Sequence, residues 1–180
     1  FIPTMANKPY SYMAFELLDW SGIRPGELLA LTSQDIEFDN KVIRITKSYQ
    51  RLEGKDVITD PKSKRNVSMP DFLCEELKDY IGRLYGILPT DRIFHLTKSF
   101  LHHEMTRGAK KAGVKRIRIH DLRHSHVSLL ISMGFSAVSI GNRVGHESVD
   151  ITYRYAHMFP TEQTQMAKLL DEEFKEGAEE

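Results

Sequence analysis

Between residues 71 and 145 apolar side chains recur at helical spacing, and each stretch closes on a glycine. Phe72, Leu73, Leu77, Tyr80, Ile81 and Leu84 mark the apolar side of a helix that opens at Asp71 and ends near Gly86. A second helix runs from Ser99 to about Lys111 and stops at Gly113. A third follows His120, turns Val127, Leu130 and Ile131 inward, and stops at Gly134. A fourth begins at Ser136 and ends at Gly145, a residue suited to the left-handed position past a helix end. The chain after residue 70 therefore reads as helical. The β signals lie upstream, in Val42-Ile43-Arg44-Ile45 after the turn Asp39-Asn40, in Val57-Ile58 and in Val67-Ser68-Met69. Residues 41–69 are therefore expected to form one small antiparallel sheet.

The ends complete the pattern. Tyr12, Met13, Phe15 and Leu18 give Tyr10 to Trp20 helical spacing, Ser21-Gly22 interrupts it, and Pro25 suits the first turn of a short helix through Leu31. Downstream, Ser148 is an expected N-cap for a helix holding Tyr153 and Tyr155, and a last helix runs from Thr161 to about Phe174 with Met166, Leu169 and Leu170. The expected fold is mainly α with a small antiparallel β-sheet inserted early, in one domain of 180 residues. The start, Phe1-Ile-Pro-Thr, has no initiator Met and no secretory pattern, and reads as a cut inside a longer protein. No apolar run approaches bilayer length. The one cysteine, Cys74, excludes an internal disulfide, suits a reducing cytosol and is expected as a buried small side chain on a helix.

Net charge is zero, with 25 cations against 25 acids, but the charges are segregated. From Lys41 to Arg65 eight lysines and arginines face only Glu53, Asp56 and Asp60, and from Lys98 to Arg123 eight face only Glu104 and Asp121. Acids collect at the end, from Asp171 to Glu180. Two basic blocks and an acidic tail suit a surface that binds polyanions locally; solvated helix faces are the alternative.

Several polar residues sit at helix mouths and ends. Arg24 precedes Pro25 with Glu27 three residues on, as an ion pair or a support for something else. His120 and Arg123 share a helix face at i and i+3. His146 follows the glycine that ends a helix, and Lys62 and Lys64 belong to an expected hairpin tip. His120, His124 and His126 also permit a zinc reading, although no His-Glu-x-x-His pattern or cysteine pair accompanies them.

In their order and spacing these residues resemble the tyrosine recombinases, or phage-integrase family. Ser21-Gly22-Ile23-Arg24-Pro25-Gly26-Glu27-Leu28 resembles the family's first box, and His120-Asp121-Leu122-Arg123-His124-Ser125 its second. Val144-Gly145-His146 resembles the Leu-Gly-His that follows, and Thr152-Tyr153-Arg154-Tyr155-Ala156-His157 the nucleophile segment. Val144 stands for the usual Leu, and Glu147 for a small or polar residue; Glu147 has no physical account. The resemblance covers about residues 10–175 and implies the recombinase catalytic-domain fold, with N-terminal DNA-binding domains elsewhere in a longer protein. The Tyr-Ala-His context implies Tyr155, not Tyr153, as nucleophile. The family's hairpin lysine, about eight residues before a proline, implies Lys62, with Lys64 as runner-up.

That chemistry explains the residue types. A phosphodiester repels nucleophiles, and its charge grows in the transition state; without a metal, fixed cations must stabilise it. Arginine's planar fork matches two non-bridging oxygens and stays charged. The resemblance implies that Arg24 and Arg123 clamp the phosphate, His146 donates to it, His120 is the general base and Lys62 the general acid. A free phenol near pKa 10 costs roughly 4 kcal/mol to ionise at pH 7, so such help is required. The resemblance further implies no cofactor, metal or ATP, and double-stranded DNA at specific sites as partner. A tetramer on DNA, a monomer alone, accessory DNA-bending or excisionase proteins, and a location on the nucleoid of a bacterial host are implied as well. A mobile-element integrase fits better than a chromosome-dimer resolvase. The last helix, Met166 to Phe174, is expected to pack on a neighbouring subunit, or else on its own domain. The competing readings are a non-catalytic DNA-binding module of this fold and a metal-dependent nuclease.

Overall fold

The structure, a computed structural model, describes residues 1–146 together with Ala167, Lys168 and Leu170. Helices α1 (Pro9–Ser21) and α2 (Pro25–Ala30) are split by Gly22 and followed by five short strands. The strands are β1 (Ile36–Glu37), β2 (Val42–Ile45), β3 (Ser48–Leu52), β4 (Lys55–Thr59) and β5 (Arg65–Ser68). Four helices come next, α3 (Asp71–Gly82), α4 (Lys98–Ala112), α5 (Ile119–Ser132) and α6 (Ala137–Val144). Among the described residues no helix is long and apolar enough to cross a membrane.

The mainly α architecture agrees with the sequence pattern, but the β region differs from it. Two antiparallel sheets form instead of one: a three-stranded sheet in the order β1-β2-β5, and a separate β3-β4 ribbon. In the first, Ile43 pairs with both Ile36 and Val67 and faces the core. The ribbon was hidden because β3, Ser-Tyr-Gln-Arg-Leu, buries only Tyr49 among solvent-facing residues and carries no apolar alternation. Its tip is Glu53–Gly54, both at positive φ. Lys62 and Lys64 therefore do not occupy a hairpin tip; they lie on the segment that carries the chain from β4 in the ribbon to β5 in the sheet.

Helix α1 is the centre of the core. Met13, Ala14, Phe15, Leu17 and Leu18 are each 2% exposed or less, and α1 packs against both α3 and α5. Leu28 and Leu29 of α2, Ile43 and Ile45 of β2, Leu73 and Leu77 of α3 and Phe94 complete it. Burying each such leucine contributes about 1.5–3 kcal/mol. A smaller cluster of Val127, Ile131, Ile140 and Val144 joins α5 to α6. Glu104 on α4 is buried, yet it accepts hydrogen bonds from Lys8, Ser11 and Arg107, and Arg107 above all holds its carboxyl down to about 2. Cys74 is buried on α3, and burial raises its thiol pKa. Helix α3 ends at Gly82, before the expected Gly86, and Phe72 is 40% exposed, its ring resting edge-on against Trp20. The expected helix beginning at Ser148 lies outside the described residues; of the last helix, Ala167, Lys168 and Leu170 are helical and exposed.

Two glycines bring elements close enough to matter for the site. Gly26 lets β3 cross α2, since a Cβ there would lie 2.7 Å from Ser48 Oγ and 2.9 Å from the Tyr49 carbonyl. Gly22 takes φ +66 at the end of α1, and a Cβ there would lie 2.6 Å from Cδ2 of His126. Left-handed backbone costs a non-glycine residue about 1–2 kcal/mol. Gly22→Ala is expected to destabilise the chain by more than this, because a clash adds to the strain. Gly86→Ala, at φ +69 in open surroundings, should cost no more than the backbone term. Urea unfolding of the two variants makes the comparison.

Candidate active site

Arg24 sits at the N-cap of α2, where Pro25 opens the helix and Glu27 closes back on it. Glu27 Oε2 accepts the Arg24 backbone N–H at 2.8 Å, and Oε1 accepts Arg24 Nη1 at 3.0 Å. Arg24 Nη2 donates to the Gly145 carbonyl at 2.8 Å. Glu27 is 1% exposed and also receives both terminal nitrogens of Arg65, at 3.1 and 2.9 Å. Burial opposes its ionisation, but Arg65 and Arg24 outweigh burial and hold its carboxyl below the ordinary value. The expected supporting role of Glu27 is what the geometry provides.

The first turn of α5 supplies His120 and Arg123. Arg118 is its N-cap residue, and Asp121 accepts the Arg118 backbone N–H at 2.8 Å. Arg123 is 3% exposed and donates Nη1 to the Gly22 carbonyl at 2.8 Å. Each arginine is thus anchored to the carbonyl of a glycine that ends another helix, Arg123 to Gly22 and Arg24 to Gly145. Gly145 ends α6 at φ +68, with its N–H and that of His146 both donating to the Gly141 carbonyl. This cap aims His146 back toward the arginines.

The electrostatics bring four of these groups to one place. Burial and then the charges of Arg123 and Arg24 push His146 down to about 4. Burial, His124, Arg123 and Arg24 lower His120. Two histidines depressed by the same two arginines share one cationic cup, and both are neutral at pH 7. Neutral imidazole can accept a proton or donate a single N–H.

Lys62 stands with Arg24 and His120 on the wall of a cleft of about 440 Å³, alongside Lys98, His102 and Arg118. Lys64 is exposed and pairs with Asp60 at 3.1 Å. Lys62 thus shares a cleft with Arg24 and His120, and Lys64 lines another with Arg65 and His146. Tyr155, the expected nucleophile, and Tyr153 lie outside the described residues. His120 and His124 touch edge to face with centroids 5.0 Å apart, while His126 accepts from Arg143 Nε at 3.0 Å on the opposite side. Among the described residues no three His, Cys, Asp or Glu side chains are grouped to hold a metal.

Sequence reasoning missed two arginines. Arg65 was counted only among the cations of residues 41–65, and Arg143 was not singled out; the Arg65 side chain is buried, that of Arg143 half-buried, and both bond to backbone carbonyls. Much of the basic surplus read from the sequence is paired across elements, as in Lys41–Asp71, Arg44–Glu37 and Lys47–Asp35.

The chain matches the phage integrase family over residues 2–162. It is 34% identical over 170 residues to the ICEBs1 integrase of Bacillus subtilis, covering 84% of this chain and 46% of that protein. Its fold is similar to that of the Tn1549 transposon integrase solved in complex with a circular intermediate DNA, at TM-score 0.77 and 19% identity, over 92% of this chain and 61% of that one. It is also similar to the catalytic domain of bacteriophage HP1 integrase, at TM-score 0.59 and 19% identity, over 87% of this chain and 80% of that one. The chain spans about half the length of the curated relatives it matches.

Depressed histidines have a measurable consequence. His126 is also pushed down to about 4, by burial and Arg143. Between about pH 6.5 and 4 the unfolded chain binds protons that folded His126 and His146 refuse, so stability is present above pH 6.5 and falls as pH drops toward 4. Histidine-resolved NMR should show both rings titrating near pH 4. Inorganic phosphate should raise the His146 midpoint by offsetting the arginine charges and leave His126 in place.

Proposed function

The chain belongs to the phage integrase family, and on that premise we propose that it is the catalytic domain of a site-specific DNA recombinase, part of a longer protein. The observation that carries this reading is that Arg24 and Arg123, tied to the Gly145 and Gly22 carbonyls, sit where their charges act on both His120 and His146. The buried Glu27 is consumed by Arg24 and Arg65.

In this reading the anion is the scissile phosphate. Arg24 and Arg123 hold its non-bridging oxygens, and His146 donates a hydrogen bond to one of them. The phenol oxygen of Tyr155 attacks phosphorus while neutral His120 takes its proton. The bond to the 5′ oxygen breaks, and Lys62 supplies the proton that leaves a 5′ hydroxyl. The product is a 3′-phosphotyrosine, and attack on it by a 5′ hydroxyl of another strand reverses the step with no net bond energy lost. No metal or ATP enters. The partners proposed are double-stranded DNA at specific sites, other copies of the protein in a tetramer on that DNA, and accessory DNA-bending or excisionase proteins. The Tn1549 relative, solved with DNA, and the ICEBs1 relative support a mobile-element role.

A DNA target nicked near the cleavage point, which loses its 5′ fragment by diffusion, traps the covalent intermediate. The native protein is expected to give a shifted protein–DNA band that survives denaturation and is unaffected by EDTA. Tyr155→Phe should abolish the band and Tyr153→Phe should retain it. A band kept by Tyr155→Phe and lost in Tyr153→Phe moves the nucleophile, and a band lost on chelation rejects the metal-free reaction.

A further inference from the structure

Arg65 takes no part in the chemistry above, yet its guanidinium is tied to three supports of the site, Glu27 and the carbonyls of Ser63 and Arg143. The side chain is 6% exposed. Nη1 and Nη2 grip both oxygens of Glu27, at 3.1 and 2.9 Å, and Glu27 in turn holds the backbone N–H and Nη1 of Arg24. Nη1 also donates to the Ser63 carbonyl at 3.1 Å, one residue from Lys62. Nε donates to the Arg143 carbonyl at 2.9 Å, in the last turn before His146. Gly145 lies flat against the same group, where a Cβ would come within 2.9 Å of Nη1, and the Gly145 carbonyl accepts Arg24.

Three chain segments distant in sequence therefore converge on one planar cation: the mouth of α2 with Arg24, the β4–β5 segment with Lys62, and the end of α6 with His146. We propose that Arg65 is a positioning residue for strand cleavage, a buried fork that sets the relative placement of Arg24, Lys62 and His146 without itself reaching the DNA. The proposal rests on the recombinase reading of the site and adds to it a residue that acts only through others. A fork is required for this role. Donors fixed in one plane can serve a carboxylate and two carbonyls on separate elements at once, whereas a lysine ammonium is a point charge on a flexible stem. Displacing reacting groups by about 1 Å costs on the order of 100-fold in rate.

The test is single-turnover cleavage of the nicked target by the intact protein at saturating DNA, with Kd and melting temperature measured on the same samples. Arg65→Lys is expected to slow cleavage by roughly 100-fold at a temperature where it is fully folded, with Kd changed less than about 3-fold. Because Arg65 acts on Arg24 through Glu27, the double variant Arg65→Lys/Glu27→Asp should be little slower than either single variant. An ordinary structural ion pair would lower the melting temperature and leave the rate of the folded protein unchanged, and that outcome overturns the proposal. Fully additive losses in the double variant overturn it as well. Should Arg65→Lys fail to fold, Glu27→Asp alone withdraws the carboxylate from the fork while keeping its charge, and the same split between rate and Kd is read from it. Absence of any covalent band from the native protein rejects the recombinase reading itself, whereas a native band with a native rate in Arg65→Lys rejects only the role of Arg65.

Discussion

A carboxylate buried between two guanidinium groups organises the site. Each oxygen of Glu27 accepts two hydrogen bonds, Oε1 from the side chains of Arg24 and Arg65, and Oε2 from the Arg24 backbone and Arg65. Taking such a charge from water costs several kcal/mol per ion, and only near-complete coordination offsets it. Removing Glu27 would leave two arginines facing each other across a dry gap. With it in place, the mouth of α2, the strand β5 and the end of α6 are held together by charge where the apolar core does not reach. The smaller cluster of Val127, Ile131, Ile140 and Val144 fastens α6 to α5 and completes the frame.

Above that frame the charges are left unbalanced by design of the packing. Glu27 neutralises one arginine's worth of charge from below, while Arg24 and Arg123 suppress the basicity of His120 and His146, and Asp60 is on the cleft wall with Lys62. An anion entering such a site meets donors already oriented by their bonds to backbone carbonyls. Burial and the same two arginines lower the basicity of His120 as well as of His146, so one pair of cations sets the electrostatics of both rings.

Most of the helical frame could be read from spacing and punctuation, because Gly22, Gly113, Gly134 and Gly145 each end a helix or follow its last turn and Ser136 caps one. Boundaries failed where the glycine was not the stop, as at Gly86, four residues beyond the end of α3. The ribbon was illegible because its two strands bury little and so have no reason to alternate. Among site residues, Arg24, His120, Arg123 and His146 were legible through their ordered motifs, and the structure places them around one cup. Lys62 was singled out on an expected hairpin tip, whereas it lies on the β4–β5 segment and lines a cleft with Arg24 and His120. Arg65 and Arg143 were not legible at all. Their roles depend on backbone carbonyls contributed by other elements, and a carbonyl leaves no mark in the sequence.

The two arginine-to-glycine tethers span great distances along the chain, 121 residues from Arg24 to Gly145 and 101 from Arg123 to Gly22. Closing loops of that length costs chain entropy before the contacts they permit give any return. A ribosome-bound chain still short of α6 lacks the Gly145 carbonyl to which Arg24 is tied. It can hold neither Arg24 nor His146 in register. Half-made or locally unravelled copies therefore carry the same basic residues without the tethers that assemble them into one site.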